Sequence, residues 1–360
     1  MTDRRHRLRP GALRRRTLLA AGAGLALLLG LLLYLPLPDP GHRQAPASSG
    51  CAPGPSLVPP CGAWWGAYVP TGADGLVASV TALERQLGRP LDLVYTYHDM
   101  GTGTDGQLLD PAEQQLSENH LLMLSWESDV WSDTAAGGST PLGWAKIAAG
   151  DYDASVIDPQ AERVKAYGRT VLIALDQEMD SRTPTDGSPA QFVAAYRHVV
   201  DRFRQLGVTN VRWVWTVTGY LPHAKLFSEM YPGDSYVDWI AFDQYNYFGC
   251  KGNPDWLSFA QTELPTYTWI RAHISATKPL MLAEFSTAVD RADPAAQQQW
   301  YQQVPQVLER QLPGVKAVVQ WDSSVPGPDC DLSLDTGPAL RGFTAAGRSP
   351  YLNQPLPGGS

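Results

Sequence analysis

TVLIALDQE at residues 170–178, PAQFVAAYRHVVDRFRQL at 189–206 and VRWVWTV at 211–217 read as strand, helix and strand. The two outer runs are almost continuously apolar, as suits strands covered on both faces. The middle run repeats apolar residues at helical spacing and opens on Pro189, whose missing N–H costs nothing in a first turn. Strand, helix and following strand make one βαβ unit, and such units build parallel sheets.

The same alternation extends in both directions. Strand-like runs precede the unit at 63–69, 91–98 and 120–127 and follow it at 237–245, 279–285 and 315–321. Helical patterns lie at 159–167, 255–275 and 294–311, with Pro159 and Pro294 at two of the starts. Eight strands alternating with helices predict an α/β fold, a (β/α)₈ TIM barrel. The competing open doubly wound sheet would carry a Gly-rich phosphate loop after its first strand, and the PTGADG that follows Val69 does not fit it.

Several of these runs end in polar or aromatic residues. His98 and Asp99 close the second, Trp126 and Glu127 the third, and Gln177 and Glu178 the fourth. Asp243 and Tyr245 close the sixth, Glu284 the seventh, and Trp321 and Asp322 the eighth. In a barrel these ends form one rim, where catalytic residues sit.

The N-terminus differs from the body. Residues 1–16 hold seven Arg and one Asp, which leaves 21 basic against 35 acidic residues elsewhere in a chain of net charge −8. An acidic body argues against a nucleic-acid partner, which needs a basic face. Leu18 to Leu35 is an apolar stretch behind Arg14–Arg16. It is long enough to span a bilayer, with the basic end held in the cytoplasm. The predicted organisation is therefore a basic n-region (1–16), a signal anchor or signal peptide (17–35), a Pro/Gly/Ser-rich linker (36–61) and the barrel (62–350). An uncleaved anchor is preferred to cleavage near Ala45-Pro46-Ala47. The body is then extracellular, tethered to the plasma membrane or released. The four cysteines suit two disulfides in an exported chain, with Cys51–Cys61 and Cys250–Cys330 the preferred pairing of three. No motif calls for a metal or cofactor, and a monomer suffices. Twelve Trp and 15 Tyr add a weak hint of carbohydrate, since aromatic rings stack on sugar faces.

Glu178 and Glu284 lie far apart in the chain, yet a closed barrel brings both to one rim. Paired carboxylates of this kind suit glycosidic bond cleavage, one giving a proton to the leaving oxygen and the other meeting the oxocarbenium-like centre. LIALDQEMDS (172–181), the helix–strand stretch 196–218, YPGDSYVDWIAFDQYNY (231–247) and KPLMLAEFST (278–287) occur in that order, with LSWESD (124–129) and GDYD (150–153) before them. Together they resemble glycoside hydrolase family 26, the β-mannanase family. The resemblance implies a retaining endo-β-glycanase acting on a β-linked polysaccharide or oligosaccharide, mannan first. Glu178 would be the acid/base and Glu284 the nucleophile. Tyr245 would hold the nucleophile, and Trp321 would floor the subsite of the sugar being cleaved. Trp126 and Trp215 would be further subsite walls or, equally, barrel-rim core. Gln177 and Asp180 stand where the family usually has His and Asn, and both are candidate substrate-binding residues. Gln177 could donate to a sugar hydroxyl, and Asp180 would raise the Glu178 pKa by like-charge repulsion. Two other functions compete: a non-catalytic carbohydrate-binding protein on a decayed hydrolase barrel, and a tethered partner in polysaccharide export.

Overall fold

The computed structural model describes residues 54, 56–132, 138–324, 330–335 and 337–357. The expected anchor, the start of the linker and Cys51 lie outside them. No helix among the described residues is long and apolar enough to cross a membrane.

Eight parallel strands close into a barrel in sequential order. They are β1 (Trp64–Tyr68), β2 (Leu93–Asp99), β3 (Leu121–Glu127), β4 (Val171–Leu175), β5 (Val211–Val217), β6 (Trp239–Asn246), β7 (Leu280–Thr287) and β8 (Val315–Trp321). All eight expected strands are present. A short ribbon, Asp129–Trp131 against Ser139–Pro141, sits on the rim after β3.

Local chemistry explains the helices. In Pro189–Gln205, Ser188 and Gln191 form a reciprocal capping box, and Phe192, Ala195, Tyr196, Val199, Val200 and Phe203 are buried along one face. The pattern read as one helix over 294–311 is two helices, Pro294–Gln302 and Val304–Arg310. Pro305 has no N–H to continue the first ladder and sits comfortably in the first turn of a second helix.

The core has two shells. Trp64, Tyr95, Met123, Ala174, Val214, Trp239, Met281 and Val319 fill the barrel lumen. A larger shell lies between strands and helices. Period-two alternation decides the shell for each strand residue. Leu122, Leu124 and Trp126 share one parity and face outward, whereas Leu121 and Met123 face inward.

The N-terminal mouth of the barrel is plugged. Trp64 donates its indole N–H to the Leu57 carbonyl (2.7 Å) and Trp239 donates to that of Ser56 (3.0 Å). Leu57 joins the lumen cluster. The last residues of the expected linker are therefore part of the barrel. At the other end of the chain, Ala63 N–H donates to the Tyr351 carbonyl and Leu352 is fully buried, so the packed unit also continues past residue 350. Among the described residues that mouth is closed, which leaves the C-terminal rim as the approach to the lumen.

Candidate active site

The rim turns after β4 in an unusual way. Asp176 and Glu178 both take left-handed backbone (φ 54°) without being glycine. Such conformations cost energy and persist where surroundings hold them. Here Asp176 accepts from Ser128 N–H (3.1 Å), Ser128 Oγ (2.8 Å) and Trp144 Nε1 (2.5 Å). Glu178 N–H donates to the Thr216 carbonyl of β5 at 3.1 Å. The held turn leaves the Glu178 side chain half-buried, and no described residue bonds its carboxyl.

Glu284 reaches the lumen by a different device. Along β7, Leu280 and Leu282 face outward, so strict alternation would turn Glu284 outward too. The register with β6 shifts at this point. Phe242 pairs with Leu282, but Asp243 pairs with Glu284. The extra residue is a bulge at Ala283, and it brings Glu284 inward with Ala283 while Phe285 returns to the outer shell. There the carboxylate accepts from Tyr97 OH at 2.5 Å through Oε1 and from Tyr245 OH through Oε2.

Electrostatics separate the two glutamates. Burial, then the negative charge of Glu284, then that of Asp180, push the Glu178 pKa up to about 8. Burial also raises Glu284, but the two tyrosine hydroxyls pull it back. Burial first, then the Glu284 charge, holds both phenols well above their ordinary pKa, so they remain donors. The proton shared by the pair therefore belongs on Glu178, and the charge belongs on Glu284. A third carboxyl, Asp243, is buried beside them, and burial first, then the charges of Glu284 and Glu178, push its pKa well above the usual carboxylate range.

Aromatic rings line the rim around Glu284. Tyr68 stacks on Trp321 (6.2 Å) and meets Tyr97 edge-on (4.9 Å), and Tyr245 meets Trp321 edge-on (6.1 Å). Trp321 and Tyr245 thus lie beside each other on the rim that carries Glu284. Tyr68 and Tyr97 were not anticipated as site residues, though Tyr97 shares the inward parity of Leu93 and Tyr95, and Glu127 was read only as a rim residue with no role assigned. Glu127, half-buried at the end of β3, meets Arg182 (3.0 Å), accepts from Trp131 Nε1 (3.2 Å) and accepts from Gln177 Nε2 (2.7 Å).

The structure selects the core reading for Trp126 and Trp215 and changes the expectation for Asp180 and Gln177. Trp126 is fully buried, donates to the Asp99 carbonyl (3.1 Å) and packs on Phe203. Trp215 is fully buried, donates to the Met230 carbonyl (3.1 Å) and packs on Tyr231. Both rings have the outward parity of their strands and touch no cleft. Trp126→Ala should therefore lower unfolding stability by about 3–5 kcal/mol in urea titration. A variant that kept full stability while losing sugar affinity would return Trp126 to the site. Asp180 is buried and already saturated by Thr218 N–H (2.9 Å), Thr218 Oγ1 (2.6 Å) and His223 Nδ1 (2.8 Å). It acts on Glu178 by charge, as expected, and not by meeting substrate. Gln177 spends its amide on Glu127 and Ser125, which leaves it orienting Glu127 more than facing a sugar.

Cys250 and Cys330 form the expected disulfide, with Cα atoms 4.8 Å apart. It ties the loop after β6 to the segment after β8, the loops flanking Tyr245 and Trp321. The Cys51–Cys61 pairing involves a residue outside those described. Among the described residues, no group of three or more His, Cys, Asp or Glu could hold a metal ion.

A family profile described as "Glycosyl hydrolase family 26" matches residues 181–261. Endoglucanase H of Acetivibrio thermocellus is 30% identical over 244 residues, which are 62% of this chain and 24% of that protein. The chain thus spans about a quarter of that relative's length. Among solved structures, a GH26 β-mannanase from Bacteroides ovatus superposes with a TM-score of 0.57 at 14% identity, covering 81% of this chain and 90% of that one. A β-mannanase from a symbiotic protist of the termite Reticulitermes speratus, complexed with gluco-manno-oligosaccharide, gives 0.55 at 17%, covering 82% and 90%. At such identities the superpositions speak to the fold.

Proposed function

We propose that the chain is a member of glycosyl hydrolase family 26, whose profile matches residues 181–261, and that it is a retaining endo-β-glycanase working by double displacement. The observation that carries this is the carboxylate of Glu284, gripped by two tyrosine hydroxyls on the rim that also carries a protonated Glu178. Glu284 attacks the anomeric carbon as the glycosidic C–O bond breaks, and Glu178 gives its proton to the departing oxygen. Water then loses a proton to Glu178 as it displaces Glu284 from the ester. Tyr97 and Tyr245 hold one carboxylate oxygen each, fixing the angle of attack.

For the backbone cleaved, two readings have support. Endoglucanase H is named for glucan and is 30% identical over 244 residues, so β-glucan is the first choice. The solved mannanases and the motif order support β-mannan as the second. Full-length protein incubated with mixed-linkage glucan, glucomannan, mannan and xylan decides between them by the oligosaccharides released. Release from none of these, with binding retained, would favour a carbohydrate-binding protein instead. The basic n-region and the apolar stretch behind it support work outside the cell on a membrane tether. A tethered chain stays with the membrane fraction after a high-salt wash.

A further inference from the structure

The turn after β5 is built more firmly than an exposed loop requires. Its first residue, Thr218, donates N–H and Oγ–H to Asp180. Tyr220 N–H donates to Thr218 Oγ1 at 3.2 Å, and His223 N–H donates to the Tyr220 carbonyl at 2.8 Å. His223 returns to Asp180 through Nδ1 at 2.8 Å. Between them Gly219 takes φ 69°, and its carbonyl accepts from Gln244 Nε2 (2.5 Å) and Thr266 Oγ1 (2.8 Å). A side chain at 219 would press on the Asp243 carbonyl, with Cβ 2.8 Å from it. Both flanks of the turn are thus tied to Asp180, and its middle is tied to two further elements.

This fixed turn presents an aromatic ring to solvent. Tyr220 is 56% exposed, well above Val130 and Leu264, the other exposed large apolar side chains among the described residues. Its ring meets His223 edge-on at 5.1 Å, and its hydroxyl bonds no described residue. An exposed ring on a rigid mount is suited to binding, because little entropy remains to be lost when a ligand covers it.

Position identifies the ligand. Asp180, the anchor of the turn, lies two residues after Glu178, and Glu178 N–H bonds Thr216, two residues before Thr218. The turn therefore stands on the acid/base side of the rim, where the leaving sugar departs after taking the Glu178 proton. The segment Ser181–Gly187, next along the chain from Glu178, brings no aromatic residue. We propose that Tyr220 is the platform on which the leaving-group sugar stacks, contributing to recognition of the product half of the polysaccharide. This rests on the hydrolase reading and assigns a residue to a part of it that the two carboxylates do not specify.

The test compares two substrates with the same sugar on the attacked side. One is the polysaccharide cleaved, and the other is the matching trisaccharyl β-fluoride, whose leaving group is too small to reach Tyr220. In the full-length protein, Tyr220→Ala should lower kcat/KM on the polysaccharide about three- to tenfold, mainly through KM. Turnover of the fluoride should be unchanged, and transfer to an added disaccharide acceptor should fall. Tyr220→Trp should keep wild-type behaviour on both. Equal kinetics on the polysaccharide, or equal losses on both substrates, would overturn the inference while leaving the hydrolase reading intact. Hexasaccharide binding by calorimetry gives a readout independent of turnover. An unchanged Kd in Tyr220→Ala overturns the platform even where the wild type hydrolyses nothing, an outcome that would by itself overturn the hydrolase reading.

Discussion

Glu284→Ala should lower kcat on the polysaccharide by roughly four to six orders of magnitude, as loss of a covalent nucleophile does elsewhere. The two other carboxyls described nearby are poor substitutes. Burial pushes the pKa of Asp243, the carboxyl paired with Glu284 across the sheet, well above the usual carboxylate range, and Glu127 is engaged by Arg182, Gln177 and Trp131. Glu284→Gln should fall just as far, because it keeps an acceptor for one tyrosine but cannot form the ester. Equal loss in the isosteric variant separates chemistry from packing. Added azide should restore turnover to Glu284→Ala alone, by entering the space vacated beside Tyr97 and Tyr245. The azide product should have the anomeric configuration opposite to that of the substrate, since only one displacement has occurred. Near-full rate in either variant would remove Glu284 from the chemistry, and a rescued product of unchanged configuration would remove it from the nucleophile role.

The barrel was legible because its cause is periodic. Eight apolar runs separated by helical patterns allow few topologies, and Pro and Ser at helix starts mark where each helix begins. Glu178 and Glu284 were legible as residue types at strand ends. For Trp126 and Trp215 the subsite-wall and core readings stood level, although their orientation was written in the strands. Counting by twos from Leu122 and Leu124, or from Val211 and Trp213, turns both rings outward. The same count applied to β7 would have sent Glu284 outward as well, and there the molecule breaks the rule with a bulge that no glycine announces. Asp180 illustrates a different limit. Its type suggested a sugar contact, but its three partners come from residues 38 and 43 positions later, beyond local pattern. The plug at Ser56–Leu57 was hidden by composition, since Pro-rich sequence reads as linker until two indoles are seen to hold it.

The pH dependence of the wild type should carry an alkaline limb near 8, and Glu178→Ala should erase it. A general acid must be protonated to act, and the lifted pKa keeps Glu178 so through neutrality. On the polysaccharide the variant should lose about two to four orders of magnitude. On a glycosyl fluoride, whose leaving group needs no proton, the first step should survive and the ester on Glu284 should accumulate. That ester cancels the charge of Glu284, the second cause of the raised value, so Glu178 becomes acidic enough to serve as base in the second step. Stability provides an independent check with a defined sign. An unfolded Glu178 ionises near its ordinary 4.5, whereas the folded group keeps its proton to about 8. Between those values the folded state binds more protons, so its stability falls as pH rises. Glu178→Gln lacks that term, and its melting temperature should gain on the wild type from about pH 4.5 to about pH 8, then run parallel. A gap that stayed constant across this window would mean that Glu178 titrates normally, and the acid assignment would fall with it.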